Sequence, residues 1–210
     1  MPISLNGLHV VITGAGGGLG PAVTEAFRAA GAICHTPARA ELDLNDEAAV
    51  VRYYAALPPL WASVHVAGGF AMAPIAETSL EAFTSQWRIN TVTAFLASRE
   101  AVKRMRGGKA GGRIVNVAAR AAVDHPAGKI AYVSAKAALV AMTRAMAAEC
   151  APERIFVNAV LPDTIDTPSN RAAMPGADYS RWTQPAAIAA AIAWLASPEN
   201  ASVTGTLLPV

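Results

Sequence analysis

The stretch Thr13-Gly14-Ala15-Gly16-Gly17-Gly18-Leu19-Gly20 lies between a short apolar run, Leu8–Thr13, and a helical pattern, Pro21–Ala30. Glycines let a backbone turn tightly and approach a pyrophosphate, and the following helix offers unpaired N–H groups and a positive dipole end. No Gly-Lys-Ser/Thr follows, which excludes a P-loop nucleotide triphosphatase. We therefore predict that a dinucleotide's phosphates are held by Gly14, Gly16, Gly18, Leu19 and Gly20.

Apolar runs of strand length alternate with helical patterns along the whole chain. The run Leu8–Thr13 is continuously apolar, as expected for a strand buried on both faces of a parallel sheet. Further strands are predicted at 32–36, 61–66, 113–117, 154–160 and 204–210. Helices are predicted at 21–30, 46–57, 79–105 with a break near Trp87, 130–149 and 184–196. This order predicts an α/β fold, a Rossmann-type doubly wound parallel sheet with helices on both faces, in one domain spanning residues 1–210.

Two irregular stretches refine this picture. Only Pro37–Asn45 separates the second strand from the next helix, whereas a parallel neighbour needs a crossover of about a dozen residues. The sequence therefore predicts six strands, or seven if Glu41–Leu44 pairs briefly. Residues 161–183 lack a periodic pattern and are rich in Pro, Asp, Asn and Thr. A long irregular segment in a compact α/β domain is usually functional, so we predict that residues 163–183 cover the substrate.

Composition and charge exclude several functions. The 210 residues carry a net charge of +2 with scattered Lys and Arg, which predicts no nucleic-acid partner. No uninterrupted run of apolar residues reaches the roughly 18 residues of a spanning helix, and the N-terminus lacks a signal-peptide pattern. Cys34 and Cys150 fit reduced thiols, and the four histidines show no metal-ligand pattern. We predict a cytoplasmic protein that uses neither a membrane nor a metal.

Tyr132 and Lys136 stand four residues apart in a predicted helix, so they share one of its faces. A phenol with a pKa near 10 is a weak acid–base catalyst at neutral pH. A nearby ammonium, and the positive ring of an oxidised nicotinamide, favour the phenolate and lower that pKa. We predict that Tyr132 hands a proton to the substrate as hydride arrives.

The chain resembles the short-chain dehydrogenase/reductase family in the order and spacing of six motifs. They are Thr13–Gly20, Asp43-Leu44, Val66–Gly69, Arg88–Thr91, Tyr132–Lys136 and Val157–Pro162. The resemblance implies an NAD(P)-dependent oxidoreductase of a small-molecule substrate, with Tyr132, Lys136 and Asn90 catalytic. It implies that Lys136 holds the nicotinamide ribose and that Asn90 anchors a water linking Lys136 to solvent. The implied cofactor contacts are Asp43, Leu44, Ala67, Gly68, Tyr132, Lys136, Pro162, Thr164, Ile165 and Thr167.

The resemblance also bears on assembly. Residues 79–105 and 130–149 carry long Ala-rich apolar faces that a single sheet cannot cover. Members of this family usually form dimers or tetramers through such helices. We therefore expect a homodimer or a homotetramer.

One family residue is missing. The serine that orients the substrate carbonyl stands thirteen residues before the tyrosine, and here that position is Ala119. The dihydropteridine reductases, a branch of the family, have the same alanine, and the chain resembles them in Val66–Phe70, Ala121–Asp124 and Leu161–Trp182. That resemblance implies a flat quinonoid pterin, for which a carbonyl-orienting serine matters less. The candidate substrate contacts are Phe70, Ala119, Asp124, Met174 and Trp182.

The sequence leaves three alternatives for the function and two for the cofactor. The chain is a reductase of quinonoid dihydropterin or a similar conjugated substrate, a carbonyl/alcohol oxidoreductase, or a low-turnover NAD(P)-binding sensor or scaffold. The acid that binds the ribose of NAD is replaced by Ala38, and the following Arg39 suits a 2′-phosphate. This favours NADP over NAD, although Glu41 or Asp43 could still reach a ribose.

Overall fold

The computed structural model describes residues 3–106, 108 and 110–210. Its strands are β1 (His9–Thr13), β2 (Ile33–His35), β3 (Ala62–His65), β4 (Gly112–Val117), β5 (Ile155–Leu161) and β6 (Leu207–Pro209). They form one parallel six-stranded sheet in the order β2-β1-β3-β4-β5-β6. The helices are α1 (Gly20–Ala29), α2 (Glu47–Ala55), α3 (Leu80–Trp87), α4 (Thr93–Met105), α5 (Ala121–Asp124), α6 (Ile130–Cys150), α7 (Pro168–Ala173) and α8 (Pro185–Leu195). The predicted Rossmann-type architecture is confirmed.

Two helical layers cover the sheet because both faces of its central strands are apolar. Helices α1 and α8 pack over one face, around a core that includes Val10, Ile12 and Ile192. Helices α2, α4 and α6 pack over the other, around Val11 and Ile114. Neighbouring residues of one strand therefore enter opposite cores, as the pleat of a β-strand requires.

The sheet ends at β2, as the short connection after it predicts. Residues 37–42 close into a turn in which the backbone N–H groups of Glu41 and Leu42 both donate to the carbonyl of Ala38. Leu42 is buried under α2, which fixes the turn against the core. Within the described residues no strand forms at Glu41–Leu44, so the sheet has six strands rather than seven.

The long predicted helix 79–105 breaks where the sequence suggested. Helix α3 ends at Trp87, a π-helical turn spans Arg88–Val92, and α4 follows. Single π-turns of this kind are frequent at functional sites. Here the turn buries Asn90 and lets the Thr91 hydroxyl donate to the carbonyl of Ala135 at 2.9 Å, which ties the break to α6.

Some elements differ from the sequence prediction. Helix α5 was not predicted, and α7 lies inside the stretch 163–183 that lacked a periodic pattern. Helix α7 forms because Thr167 caps it, accepting a hydrogen bond from the N–H of Asn170, and because Pro168 suits the first turn. Strand β6 is shorter than the predicted 204–210.

One helical stretch, Ile130–Glu153, is long and apolar enough to span a membrane by length and composition alone. It contains α6, which packs along β5 and buries Lys136 against the sheet. A helix in this position belongs to the core of the fold, which explains its apolar composition.

Candidate active site

A cavity of about 720 Å³ opens at the carboxyl ends of the strands. It lies where β1 has β2 on one side and β3 on the other, so the loops after β1 and β3 diverge there. Open α/β sheets bind ligands at such a point. Among the residues predicted to bind the cofactor, those that line the cavity are Gly14, Gly16, Gly18, Leu19, Arg39, Asp43, Leu44, Ala67, Gly68, Tyr132, Lys136, Pro162, Ile165 and Thr167.

The glycine-rich turn forms one wall of the cavity. Gly14 has a φ of +75°, and a Cβ on it would lie 2.5 Å from the backbone nitrogen of Ala67, so no other residue fits. Gly16 has no atom within 4 Å of the position of a Cβ, which leaves open space beside the turn. The turn leads directly into α1. Open space at a glycine-rich turn and a helix N-terminus suits a pyrophosphate, so these residues fit a dinucleotide.

At the far end of the cavity, both candidate ribose-binding carboxylates already have partners. A Glu41 oxygen accepts a hydrogen bond from the N–H of Ala38 at 2.9 Å. Asp43 accepts from the backbone and side-chain nitrogens of Asn45, which, with the charge of Arg39, lowers its pKa. Arg39 is exposed and lines the same end. It is the only cation lining this end among the described residues.

Lys136 lies buried at the centre of the site. Its Nζ donates a hydrogen bond to the carbonyl of Val117 at 2.8 Å, and only 5% of the residue is exposed. Burial lowers the pKa of Lys136 to about 8. The ammonium is thus costly to keep in this position, and a bound ribose would meet its remaining N–H donors.

Tyr132 shares the face of α6 with Lys136, and the Lys136 Nζ lies 5.9 Å from the centre of the phenol ring. Burial raises the pKa of Tyr132 to about 12, so the expected lowering is not seen in the protein alone. The reason is that the apolar surroundings disfavour the phenolate more than the ammonium at this distance favours it. The ring also meets Phe70 edge to face, with centroids 4.9 Å apart.

Asn90 holds the loop after β3 against this pair. Its side chain accepts from the N–H of Gly69 at 3.1 Å and donates to the carbonyl of the same residue at 2.9 Å. It also donates to the buried Gln86. A Cβ on the preceding Gly68 would lie 2.7 Å from the Asn90 Oδ1 and 3.4 Å from the Lys136 Nζ. Glycine at position 68 therefore permits this close packing.

The structure places some of the predicted substrate contacts at the cavity and others outside it. Phe70 and Ala119 line the cavity, and Phe70 is 55% exposed. Asp124 lies outside the lining in an ion pair with Arg120. Met174 and Trp182 also lie outside, on the segment 163–183, where Trp182 packs against Tyr179 with ring centroids 4.7 Å apart.

Two predicted cofactor residues do not line the cavity either. A Cβ on Gly20 would lie 2.3 Å from the carbonyl oxygen of Ala15, so this glycine permits the tight entry into α1. Thr164 accepts a hydrogen bond at its carbonyl from the N–H of Thr183, which closes the segment between them.

The site also contains residues that were not predicted. The carbonyl of Val117 holds Lys136, but any residue offers a carbonyl, so its identity gave no signal. Gln86 lies one helical turn before Asn90, and that spacing could have revealed it. Ser169 and Asn170 line the cavity because α7, which was missed, brings them there.

A parallel sheet with a glycine-lined cleft at its switch point, and a buried tyrosine–lysine pair beside that cleft, define a dinucleotide-dependent oxidoreductase. Comparison with known proteins gives the same class. The family model described as enoyl-(acyl carrier protein) reductase matches residues 3–210. L-xylulose reductase of Bos taurus is 27% identical over 237 residues, covering 100% of this chain and 97% of the relative.

Two further relatives cover the whole fold. The 2,5-dichloro-2,5-cyclohexadiene-1,4-diol dehydrogenase of Sphingobium indicum is 33% identical over 245 residues, covering 97% of this chain and 95% of the relative. A structure described as an NAD(P)-dependent gluconate 5-dehydrogenase of Beutenbergia cavernae, with NADP at low occupancy, has a TM-score of 0.91 at 27% identity. It covers 100% of this chain and 97% of that one. The chain belongs to the short-chain dehydrogenase/reductase family and is an NAD(P)-dependent oxidoreductase.

Proposed function

We propose that this oxidoreductase reduces flat, conjugated acceptors, such as quinonoid dihydropterin, with Tyr132 as the proton donor. The observation that carries the proposal is that Ala118 and Ala119 line the cavity where the family's serine is expected. A ketone concentrates the developing negative charge on one oxygen and needs hydrogen-bond donors there. A quinonoid ring spreads the charge over several atoms, so one proton donor is enough.

The side chains around the cavity support this chemistry. A nicotinamide held in this cavity would supply the hydride. Tyr132 donates its phenolic proton to a nitrogen or oxygen of the acceptor, and the Lys136 ammonium stabilises the phenolate that remains. Phe70 offers an exposed ring beside Tyr132 on which a planar substrate can stack. Asn90 fixes the backbone of Gly69, and the neighbouring Gly68 lies beside Lys136. The loop after β3 therefore helps to hold the catalytic pair in place.

We propose NADP as the preferred cofactor. Arg39 is exposed at the adenosine end of the cavity, where a 2′-phosphate would lie. Glu41 and Asp43, which could instead bind a ribose hydroxyl, already accept backbone hydrogen bonds. The Beutenbergia cavernae structure, described with bound NADP, supports the same preference.

We also propose that residues 163–183 cover the substrate and that the protein forms a homo-oligomer. Residues 163–183 border the cavity through Ile165, Thr167 and Asn170, so a substrate held at Tyr132 would lie beneath them. Closure of this segment would bring Met174 and Trp182 to the substrate, and Asp124 of α5 stays a proposed contact of the same substrate. The exposed Trp87 and Phe95 on the α3–α4 surface support a homodimer or homotetramer, acting in the cytoplasm without nucleic acid or membrane.

A carbonyl or alcohol substrate is the second candidate. It is favoured by relatives named for sugars and sugar acids, such as L-xylulose reductase and gluconate 5-dehydrogenase. The Sphingobium indicum dehydrogenase, named for a cyclohexadiene diol, instead supports a ring substrate. A low-turnover sensor or scaffold is the third. The costly burial of Lys136 argues against it, because binding alone does not need an ammonium beside a phenol.

Turnover assays with NADPH and NADH separate these candidates. Quinonoid dihydropterin, a neutral quinone, and aldose and ketose sugars are offered to the wild-type enzyme, Tyr132→Phe and Ala119→Ser. We expect wild-type turnover of the conjugated acceptors, its loss in Tyr132→Phe with NADPH binding retained, and no gain in Ala119→Ser. Faster sugar reduction by Ala119→Ser, with no reaction of the conjugated acceptors in any variant, would establish the carbonyl enzyme instead.

A further inference from the structure

A hydrogen-bonded network lies in the sheet beneath the catalytic pair and has no part in the chemistry described so far. Its centre is His65, the last residue of β3, which is 2% exposed. His65 connects α2, β3, α4, β4 and α6 through side chains that are all buried. In order, the network passes through Tyr54, Ser63, His65, Asn116, Thr143 and the carbonyl of Leu139.

Along the path from Tyr54 to Leu139 every hydrogen bond runs in one direction, and the Ser98 hydroxyl, 3.2 Å from His65 Nδ1, is a side branch of this path. The Thr143 hydroxyl donates to the carbonyl of Leu139 at 2.8 Å, so its oxygen accepts from the Asn116 amide nitrogen at 2.9 Å. The Asn116 oxygen then accepts from His65 Nδ1 at 2.8 Å. This fixes the proton of the neutral imidazole on Nδ1, and burial lowers the pKa of His65 to about 4, so the ring stays neutral.

The hydrogen bonds on the Nε2 side of His65 run in the same direction. His65 Nε2 accepts from the Ser63 hydroxyl at 2.9 Å, and the Ser63 oxygen accepts from the Tyr54 phenol at 2.9 Å. Each member thus has one role, donor toward the next residue and acceptor from the one before. A fully satisfied buried network of this kind permits a single arrangement of the elements that it joins.

The half of the network nearest α6 joins the two elements that position Lys136. Asn116 is followed in β4 by Val117, whose carbonyl holds the Lys136 Nζ. Thr143 lies two helical turns after Lys136 in α6, and the carbonyl that it holds belongs to Leu139, one turn after Lys136. The bond between Asn116 and Thr143 therefore joins the strand whose carbonyl accepts a hydrogen bond from Lys136 to the helix that carries Lys136.

We propose that His65 is a positioning residue that sets the place of Lys136, and with it of Tyr132, by fixing α6 on β4 through Asn116 and Thr143. The proposal rests on the proposed roles of Tyr132 and Lys136. The half from Tyr54 to Ser63 joins α2 to β3, away from the lysine, and contributes to stability alone. The two halves share one histidine and are equally buried, so one serves as the control for the other.

The experiment compares variants of the two halves. His65→Leu and Thr143→Val remove the bonds on the lysine side, Thr143→Ser keeps the hydroxyl, and Tyr54→Phe removes the bond at the far end. Urea unfolding, NADPH affinity by fluorescence titration, and the pH profile of kcat are measured for each. The acceptor is whichever one the wild-type enzyme reduces fastest, so the test does not depend on the pterin assignment.

We expect His65→Leu and Thr143→Val to weaken NADPH binding and to lower kcat about 10- to 100-fold, the usual effect of displacing a catalytic group by about 1 Å. The alkaline limb of their pH profile should move upward, because a displaced Lys136 stabilises the phenolate less. Thr143→Ser should restore both properties. Tyr54→Phe should lose stability while NADPH affinity and kcat stay within about twofold of wild type.

If Thr143→Val and Tyr54→Phe differ only in stability, with NADPH affinity and pH profile unchanged in both, the network merely stabilises the fold and the proposal is wrong. Thr143→Val still tests the proposal if His65→Leu fails to fold, because valine has the shape of threonine and lacks only the hydroxyl that forms the bond. NADPH affinity is measured without substrate. A failure of the proposed substrate class would therefore show as missing turnover of the conjugated acceptors by the wild-type enzyme, with the affinity differences still present.

Discussion

Replacing Lys136 with methionine should stabilise the protein in the absence of cofactor. Lys136 is 5% exposed, and its burial lowers its pKa from 10.5 to about 8. A lysine whose pKa is lower in the folded state opposes folding while it is protonated. The difference corresponds to a cost of about 3 kcal/mol at neutral pH. Methionine fills the same space without the charge.

The expected gain is smaller than that cost. The variant loses the hydrogen bond to the Val117 carbonyl, which contributes about 1 kcal/mol. The net stabilisation is therefore about 2 kcal/mol, or about 4–8 °C in Tm for a domain of this size. Urea unfolding and calorimetry of both proteins without NADPH measure it directly. NADPH at 100 times its Kd should reverse the order, because binding adds about 2.7 kcal/mol to a protein that retains the site.

The pH dependence provides the decisive check. The cost is fully present below pH 8 and disappears as the pH rises from 8 to 10.5, because the folded protein releases the proton first. The stability of wild type should therefore approach that of Lys136→Met as the pH rises, and then pass above it by no more than about 1 kcal/mol, the contribution of the hydrogen bond that the variant lacks. An unchanged gap between pH 7 and pH 10, or a less stable variant at pH 7, would refute the reasoning.

Three other perturbations test separate parts of the site. Gly68→Ala places a methyl group 2.7 Å from the Asn90 Oδ1, so NADPH affinity in a titration should fall about 10- to 100-fold. An affinity equal to that of wild type would show that the loop after β3 can move to accommodate the methyl group. Arg39→Ala should raise the KM for NADPH about tenfold and leave that for NADH unchanged, and equal effects on both would remove the 2′-phosphate assignment. His65 has a pKa of about 4 in the folded protein against 6.5 ordinarily, so wild type should lose about 3 kcal/mol between pH 6.5 and pH 4 relative to His65→Leu. Parallel urea curves at pH 7 and pH 5 would contradict that.

The fold was predictable from local patterns because each pattern has a local cause. Continuous apolar strands, a glycine turn before a helix, and a connection too short for a crossover suffice for a six-stranded doubly wound sheet. The break near Trp87 was also predictable from the sequence. The pairing of Tyr132 with Lys136 follows from spacing on one helix, and the structure places both at the cavity.

The remaining features depend on contacts between distant residues. Nothing near Tyr132 in the sequence shows that burial raises its pKa, since a ring that packs against it, that of Phe70, comes from the loop after β3. His65 reads as one polar residue in an apolar strand, and its partners Tyr54, Asn116 and Thr143 are scattered along the chain. Helix α7 is too short for periodicity to reveal, so Ser169 and Asn170 could not be placed at the cavity.

The shortened connection after β2 shows how the site tolerates loss at one end. Residues 37–45 line only the adenosine end of the cavity, where the turn around Ala38 and Glu41 connects β2 directly to α2. The proton transfer that we propose depends on the ends of β3 and β4 and on α6, which lie at the other end of the cavity. Cofactor binding must therefore rely more on the glycine turn and on Arg39 at the adenosine end. Loss of Arg39 should then weaken NADPH binding without altering the pH profile set by Tyr132, because the two ends of the cavity share no element of structure.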